Sequence, residues 1–189
     1  AVSLGALLAQ DPKLEEYFPL HLGDSWTYTV KRSKEPEKAP QEVTTKVAEM
    51  MKSNPPQYVV TSFMACTLEE DGYTVHFELS EKGLVLRGPD KLVKSAQLFL
   101  KGPVKKDSTW EWQDCDGAKI QCSWAGEEKV EVPAGTFECL KVTMEADLEG
   151  KKFRSSFWIA KGTGIVKILT EYPSVGTLTY ELKKFEHRK

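Results

Sequence analysis

Three histidines are the side chains of this 189-residue chain best suited to acid–base chemistry near neutral pH. His76 stands on the polar side of a predicted strand, two residues before Glu78, and His187 lies in a basic C-terminal tail. His21 precedes a predicted turn. We interpret all three as solvated side chains rather than as general acids or bases.

The segment Gly23-Asp24-Ser25 resembles the start of the Gly-Asp-Ser nucleophile block of one lipase and esterase superfamily. The resemblance ends at Trp26, where that block has leucine, and no Asp-x-x-His sequence follows near the C terminus. The chain also contains no G-x-S-x-G nucleophile motif and no glycine-rich phosphate or dinucleotide motif. We interpret Gly162-Thr163-Gly164 as a turn between strands. The sequence therefore predicts a protein that is not an enzyme.

The metal-binding patterns in the sequence are incomplete. Structural zinc sites typically use cysteines separated by about two to four residues, whereas a longer segment without histidine separates Cys115 from Cys122. The segment Asp114-Cys115-Asp116-Gly117 begins like a calcium-binding loop, but Ala118 and Lys119 stand where the next ligand is needed. We interpret it as a polar hairpin turn, and we expect neither a metal ion nor a cofactor.

The four cysteines, Cys66, Cys115, Cys122 and Cys139, could form disulfides in an oxidising compartment. Strand parity places Cys66 and Cys122 on apolar faces, and Cys115 and Cys139 among polar neighbours. One self-consistent pairing therefore joins Cys66 to Cys122 and Cys115 to Cys139, provided that no β-bulge changes the parity. A short loop closed by Cys115 and Cys122, and four unpaired thiols, are the alternatives that the sequence leaves open.

The charge and hydropathy patterns exclude two classes of partner. The chain has 26 Lys and Arg residues against 28 Asp and Glu, and the basic residues are scattered among acidic ones. Nucleic-acid-binding proteins usually carry a basic stripe instead. The longest nearly continuous apolar run is Leu4 to Ala9, far short of the roughly 18 residues that a membrane-spanning helix needs. The sequence therefore predicts neither nucleic-acid binding nor a transmembrane segment, and it does not indicate an oligomeric state.

Residues 1–10 differ from the rest of the chain because they are apolar and uncharged. They are typical either of a signal-peptide remnant, with Ala9 at the cleavage point, or of an ordinary N-terminal tail. Residues 11–189 have an ordinary apolar fraction and no linker long enough to divide them. We expect residues 11–189 to form a single β-rich domain.

Most of the chain alternates between apolar and polar residues, which is the pattern of half-buried β-strands. Residues 25–31 and 139–148 show it most clearly. Asp11-Pro12 followed by Glu15 and Glu16 is typical of the start of a short helix. The predicted fold is all-β: a single strongly curved antiparallel sheet, a half-barrel or open barrel-like structure, of about 10–12 strands with a short N-terminal helix.

Large aromatic residues are concentrated on the predicted strands. Such side chains either fill a core or line a cavity for an apolar ligand. A strongly curved sheet without long helices leaves a concave apolar face, which needs either a lid or a ligand. The candidate cavity-lining residues are Trp26, Tyr28, Trp110, Trp112, Trp124 and Trp158.

Three segments together resemble a group of functionally uncharacterised bacterial exported proteins and lipoproteins. The first is Tyr17-Phe18-Pro19-Leu20 with Gly23, Trp26 and Tyr28. The second, which is the most specific, is Val132-Pro133-Ala134-Gly135-Thr136-Phe137-Glu138-Cys139 with Val142. The third is Phe157-Trp158-Ile159-Ala160 with Gly162, Gly164, Ile165 and Val166. The resemblance implies export and a curved antiparallel sheet distantly similar to the half-barrel lipoprotein carriers of the bacterial envelope.

The motif residues suit structural roles, because glycine favours turns and proline favours strand ends. The structural motif residues are Gly23, Pro133, Gly135, Phe137, Gly162 and Gly164. The resemblance supplies no catalytic residue.

We therefore predict an exported bacterial envelope protein, located in the periplasm or at the cell surface, without enzymatic activity. Its predicted function is to bind an apolar ligand, such as a lipid, or a lipidated partner in a cavity of the curved sheet. The alternative is an interaction module that docks on a cell-envelope assembly through an exposed edge strand.

Overall fold

In the residues that it describes, the computed structural model contains one short helix and twelve β-strands, which form a single antiparallel sheet. The described residues are 12–37, 39–63, 72–88, 95–113, 117–148, 150–173 and 176–188. The elements in chain order are α1 (Leu14–Tyr17), β1 (Ser25–Arg32), β2 (Gln41–Met51), β3 (Gln57–Phe63), β4 (Tyr73–Ser80), β5 (Gly83–Arg87), β6 (Gln97–Lys101), β7 (Thr109–Gln113), β8 (Lys119–Val132), β9 (Gly135–Leu148), β10 (Lys151–Ala160), β11 (Gly164–Tyr172) and β12 (Gly176–Glu186). The expected all-β fold class is confirmed.

The sheet is a meander in which the first and last strands are neighbours. The strand order is β6-β5-β4-β3-β2-β1-β12-β11-β10-β9-β8-β7. Each strand therefore pairs with the next strand in sequence, except that β1 pairs with β12 and that β6 and β7 form the two edges. The β1–β12 register runs from Ser25 opposite Glu186 to Arg32 opposite Leu178. This long-range pairing places both ends of the described chain in the middle of the sheet.

The sheet curves until its edge strands β6 and β7 lie side by side, which gives a nearly closed, barrel-like structure. Lys101 Nζ donates a hydrogen bond to the Thr109 carbonyl at 3.0 Å, and the Gln113 N–H donates to Gln97 Oε1 at 3.2 Å. The indole N–H of Trp124 donates to the Lys101 carbonyl at 2.9 Å. Side-chain hydrogen bonds thus connect the two edges.

The alternation of residue types explains which face of a strand is buried. In β1, Trp26 and Tyr28 are buried, and the residues on either side of them are only partly buried. In β3, a register shift between Val60 and Phe63 leaves both residues buried although they are three positions apart. Ser62, between them, has a φ of 53°. A bulge of this kind changes the parity of the residues that follow it.

Phenylalanine side chains occupy the middle of the barrel. The ring centroid of Phe99 lies 5.6 Å from that of Phe63, 6.0 Å from that of Phe77 and 5.7 Å from that of Phe157. Phe77, Phe99 and Phe157 are almost completely buried. Aromatic pairs in such arrangements contribute about 0.5–1.5 kcal/mol beyond the burial of their area. Because the four rings come from β3, β4, β6 and β10, they tie the two halves of the sheet together.

The described residues before β1, which we call the N-terminal segment, pack onto this core. Leu14 and Phe18 are buried, and the Phe18 ring lies edge-on to Phe77 with centroids 5.8 Å apart. Helix α1 begins at Leu14, and the preceding Lys13 makes no side-chain capping bond. The helix thus starts later than the Asp11-Pro12 sequence predicted, and Asp11 lies outside the described residues.

Replacing Phe99 with alanine is expected to lower the free energy of unfolding by about 3–5 kcal/mol, because the variant leaves a cavity among three other phenylalanines. Urea unfolding measures this change. Phe137→Ala is the matched control, since Phe137 is only partly buried, and its loss should be about 1 kcal/mol. Equal losses in the two variants would contradict the central role of the phenylalanine cluster.

Candidate functional site

Little space remains beside the aromatic core. The cavity bounded by Trp26, Tyr28, Phe63 and Phe77, among others, has a volume of about 20 Å³. A space of this size holds about one water molecule. Trp26 and Tyr28, which the sequence predicted to line a cavity, therefore border a space that is too small for an acyl chain or another organic ligand.

Three other predicted cavity residues lie near the seam between the sheet edges. Trp110 and Trp112 are buried in β7, and the Trp110 ring centroid lies 5.7 Å from that of Trp124. Trp124 borders a surface groove of about 390 Å³, together with Lys105 and Lys106. Trp110 and Trp112 are thus core residues in the described structure.

Trp158 lies on the outer face of the sheet, although it is only 7% exposed. Its cross-strand neighbours are Lys141 and Lys167, whose Nζ atoms lie 4.8 and 5.7 Å from the ring centroid. The indole N–H donates to Glu128 Oε2 at 3.0 Å. This bond, together with one from Lys141, lowers the pKa of Glu128. The prediction that Trp158 lines a cavity is therefore corrected, because cation–π and hydrogen-bond contacts on the outer face bury it.

The first and third motif segments contact each other. The indole N–H of Trp26 donates to the Thr163 carbonyl at 2.5 Å, and the Tyr28 hydroxyl donates to the Ile165 carbonyl at 2.8 Å. Gly164 has a φ of +90°, and a Cβ there would lie 3.3 Å from Trp26 Nε1. The glycine thus supplies both a left-handed backbone and room for the tryptophan. The expected turn Gly162-Thr163-Gly164 connects β10 to β11.

The middle motif segment forms the turn between β8 and β9. Pro133 follows the last residue of β8, and the Ala134 N–H donates to the Leu182 carbonyl at 2.9 Å. Gly135 opens β9 with a φ of +135°, and Phe137 is partly buried against the core. This turn therefore joins β8 and β9 to β12 across the sheet.

Two of the four cysteines lie in the described residues. Cys122 and Cys139 are both buried. Cys122 is on an apolar face as parity predicts, and Cys139 is buried although parity placed it among polar neighbours. Cys66 and Cys115 lie outside the described residues, so each disulfide pairing stays a prediction.

An apolar groove opens on the surface beside the N-terminal segment. Its volume is about 440 Å³, and we call it the Met50 groove. Its polar lining consists of Glu15 and His21. The large apolar lining residues are Phe18, Leu20, Leu22, Met50, Tyr58 and Leu79.

Two parts of the chain form the Met50 groove. Residues 15–22, which run from within α1 towards β1, form one wall. The other wall comes from β2, β3 and β4, where Met50 faces Tyr58 in the strand pairing and Leu79 lies near the end of β4. The groove therefore depends on how the N-terminal segment packs against the sheet.

Two of the three most exposed large apolar side chains of the described residues line this groove. Leu22 is 56% exposed, Met50 43% and Met51 39%. Leu22 and Met50 line the groove, and Met51 follows Met50 on the same strand. Concentrated apolar exposure marks binding surfaces on soluble proteins. Sequence reasoning followed the tryptophans and missed this site, although two consecutive methionines on an otherwise polar strand end could have indicated it.

Two of the three histidines converge on one carboxylate. His21 Nδ1 lies 3.1 Å from Asp24 Oδ2, and His187 Nδ1 lies 2.9 Å from Asp24 Oδ1. The two imidazole rings are edge-to-face with centroids 4.7 Å apart. His21 and His187 are exposed, as expected, but they share a fully buried partner that the sequence did not reveal. His76 lies apart from them on β4.

Backbone groups complete the surroundings of the buried carboxylate. The N–H of His21 donates to Asp24 Oδ2 at 3.2 Å, and the N–H of Arg188 donates to Oδ1 at 3.3 Å. Gly23 has a φ of +90°, and a Cβ there would lie 2.9 Å from Arg188 Cδ. Gly23 thus allows the C-terminal segment to approach the turn that carries Asp24.

Part of the chain matches a known family. The DUF3108-like family model matches residues 118–178, from the start of β8 into β12. No curated protein matches the chain. Among the described residues, no helix is both long and apolar enough to cross a membrane.

Two solved structures have a similar fold. A protein of Bacteroides fragilis that is proposed to be exported and has a YmcC-like fold is 13% identical, with a TM-score of 0.58 over 90% of this chain and 99% of its own. A proposed lipoprotein of Parabacteroides distasonis is 14% identical, with a TM-score of 0.50 over 90% of this chain and 98% of its own. The expected resemblance to exported proteins and lipoproteins of unknown function is confirmed, and at these identities it concerns the fold alone.

The Cys139 thiol is expected to react slowly with alkylating agents in the folded protein. Burial, together with the charges of Glu138 and Glu128, raises the pKa of this thiol from 9.0 to about 12. The thiolate fraction at pH 8 should therefore fall about a thousandfold. Labelling with iodoacetamide, followed by peptide mass mapping, measures the rate in the folded and in the urea-unfolded chain.

The pH dependence and the redox state provide controls for this labelling experiment. Because the raised pKa keeps the Cys139 thiol protonated, labelling of the folded protein should still increase above pH 9, where labelling of the unfolded chain levels off. In the unfolded chain without reductant, labelling of Cys139 requires a free thiol, whereas a disulfide to Cys115 would block it. Fast labelling of the folded protein would contradict the raised pKa.

Proposed function

We propose that this chain is an exported protein of the bacterial envelope that binds rather than catalyses, and that its Met50 groove takes an acyl chain. The acyl chain would belong to a lipid or to a lipidated partner. The observation that carries the proposal is the gathering of the exposed side chains of Leu22 and Met50 around one groove.

The size and lining of the groove suit such a ligand. A volume of about 440 Å³ lies within the roughly 300–1,000 Å³ of small-molecule sites, which are mainly apolar with a few polar groups. Methionine adapts its shape to different apolar ligands, since its side chain is flexible and polarisable. Glu15 and His21 supply polar groups beside the apolar lining. The cavity next to Trp26 and Tyr28 is too small for this function.

Support for export comes from the shared fold. The Bacteroides and Parabacteroides proteins of similar fold are proposed to be exported and a lipoprotein, respectively. Since one fold can serve many functions, the binding role is argued from the groove and not from these similarities.

The alternative function, docking through an edge strand, has less support. Edge-strand docking needs backbone groups that are open to a partner strand. Here the edges β6 and β7 lie against each other, and bonds such as Gln113 N–H to Gln97 Oε1 connect them.

Met50→Lys is expected to weaken the binding of dansylated undecanoic acid at least about tenfold, because burying the apolar side chain of Met50 against the ligand is worth roughly 1.5–3 kcal/mol. Fluorescence titration of the dansyl group measures the affinity. Leu22→Ala, on the opposite wall, should weaken binding several-fold for the same reason.

Met51→Lys is the matched control for Met50→Lys. Met51 has the same residue type and nearly the same exposure, but successive side chains of a strand point to opposite faces. This variant should bind like the unchanged protein. Equal weakening in both lysine variants, or no binding of the probe at all, would contradict the proposal.

Competition distinguishes the two sources of the acyl chain. Displacement of the dansylated probe by palmitate supports a free lipid as the ligand. Displacement by a palmitoylated peptide but not by palmitate supports a lipidated partner. Native mass spectrometry of protein purified without delipidation should show a bound mass that Met50→Lys reduces.

A further inference from the structure

We infer that His21, Asp24 and His187 form a binding site for a divalent transition-metal ion such as Zn²⁺. The sequence predicted no metal site, because its cysteines lack the usual zinc spacing and no histidine lies between Cys115 and Cys122. Folding removes this objection by bringing two imidazoles and one carboxylate together. The site shares His21 with the Met50 groove, but the inference does not rest on the function proposed for that groove.

The strand register is the reason that these residues meet. In the β1–β12 pairing, Ser25 lies opposite Glu186. Asp24 immediately precedes Ser25, and His187 immediately follows Glu186, so the same antiparallel alignment places them side by side although they are 163 residues apart in sequence. His21 returns to Asp24 through the tight turn at Gly23, where the Asp24 N–H donates to the His21 carbonyl at 3.0 Å.

The distances between the donor atoms suit a shared ion. Two ligand atoms that bind zinc at about 2.0–2.1 Å in tetrahedral geometry lie about 3.3 Å apart. The two Nδ1 atoms lie 3.1 and 2.9 Å from the carboxylate oxygens of Asp24. Three ligand atoms, one from each residue, all lie within 4.8 Å of one another. Only small side-chain movements are therefore needed to place all three atoms around one ion.

The burial of the carboxylate also suits a cation. The Asp24 side chain is completely buried, and a buried carboxylate requires a compensating charge or several hydrogen bonds. Its polar contacts are two backbone N–H groups and the two Nδ1 atoms. A metal ion bound through the two Nδ1 atoms would accept their lone pairs, so each bound ring would carry its proton on Nε2.

The donor set determines the class of metal. Two imidazole nitrogens and one carboxylate oxygen favour zinc, copper or nickel over Ca²⁺ and Mg²⁺, which prefer oxygen ligands. The side chains of His21 and His187 are 58% and 44% exposed, so an ion reaches them directly from solvent. With three protein ligands, a fourth position of a tetrahedral zinc ion stays open for water or an external ligand.

Calorimetric titration with Zn²⁺ tests this inference. The protein is prepared without an affinity tag and dialysed against a chelator, and one ion is expected to bind per chain. His21→Gln and His187→Gln should each weaken binding at least about tenfold, since even substitutions outside the ligand set reduce metal affinity by roughly 10–100-fold. Asp24 is left unchanged, because its carboxylate also holds two backbone N–H groups.

His76→Gln is the matched control, because His76 lies on β4 away from the cluster, and this variant should bind Zn²⁺ like the unchanged protein. Circular dichroism checks that the variants fold. Zn²⁺ should also raise the thermal midpoint of the unchanged protein and of His76→Gln, since the three ligands meet only in the folded chain.

Two results would overturn the inference. The first is the absence of Zn²⁺ binding in the unchanged protein. The second is binding that persists at full strength in His21→Gln and His187→Gln, which would assign the ion to other residues, such as the cysteines. In that case the Co²⁺-loaded protein would show a thiolate charge-transfer band, whereas the inferred site predicts none.

Discussion

The pairing of β1 with β12 is the constraint on which the rest of the structure depends. Every other strand pair joins elements that follow each other in the chain, so local turns suffice to align them. The β1–β12 pair must instead close a loop of nearly the whole chain, which costs conformational entropy. The buried residues Tyr28 and Val30 of β1, with Tyr180 and Leu182 of β12, offset that cost by burying apolar area. The same pairing makes β6 and β7 the edges of the sheet.

The filled core explains why the proposed binding site lies at the surface. A strongly curved sheet encloses a space that side chains must fill, and each aromatic ring contributes a large buried area. Phe63, Phe77, Phe99 and Phe157 meet in the middle, and Phe18 of the N-terminal segment packs against them. The same segment then continues along the sheet surface, where it builds one wall of the Met50 groove. The N-terminal segment thus helps both to fill the core and to form the groove.

Burial on the outer face limited what alternation could predict. Alternation assigns a side chain to a face, but it does not determine whether that face is covered. Trp158 and Cys139 both lie on the polar face of their strands, and both are buried. For Trp158 the cover comes from the side chains of Lys141 and Lys167 on the adjacent strands. Their positions depend on the register between strands, which the residues of one strand do not reveal.

The sequence by itself determined the all-β class, most of the strands, and the turns at Gly135 and at Gly162 to Gly164. These features are local, since side-chain alternation and the backbone freedom of glycine act over a few residues. The tertiary structure alone decided that a phenylalanine cluster fills the core, that the exposed Met50 lines a groove, and that His187 reaches Asp24. Each of these depends on contacts between residues far apart in the chain. A single bulge, such as that at Ser62, changes the strand register that sets such contacts. The physical reason is that strand register and sheet closure are set by the sum of many distant contacts, which no local pattern contains.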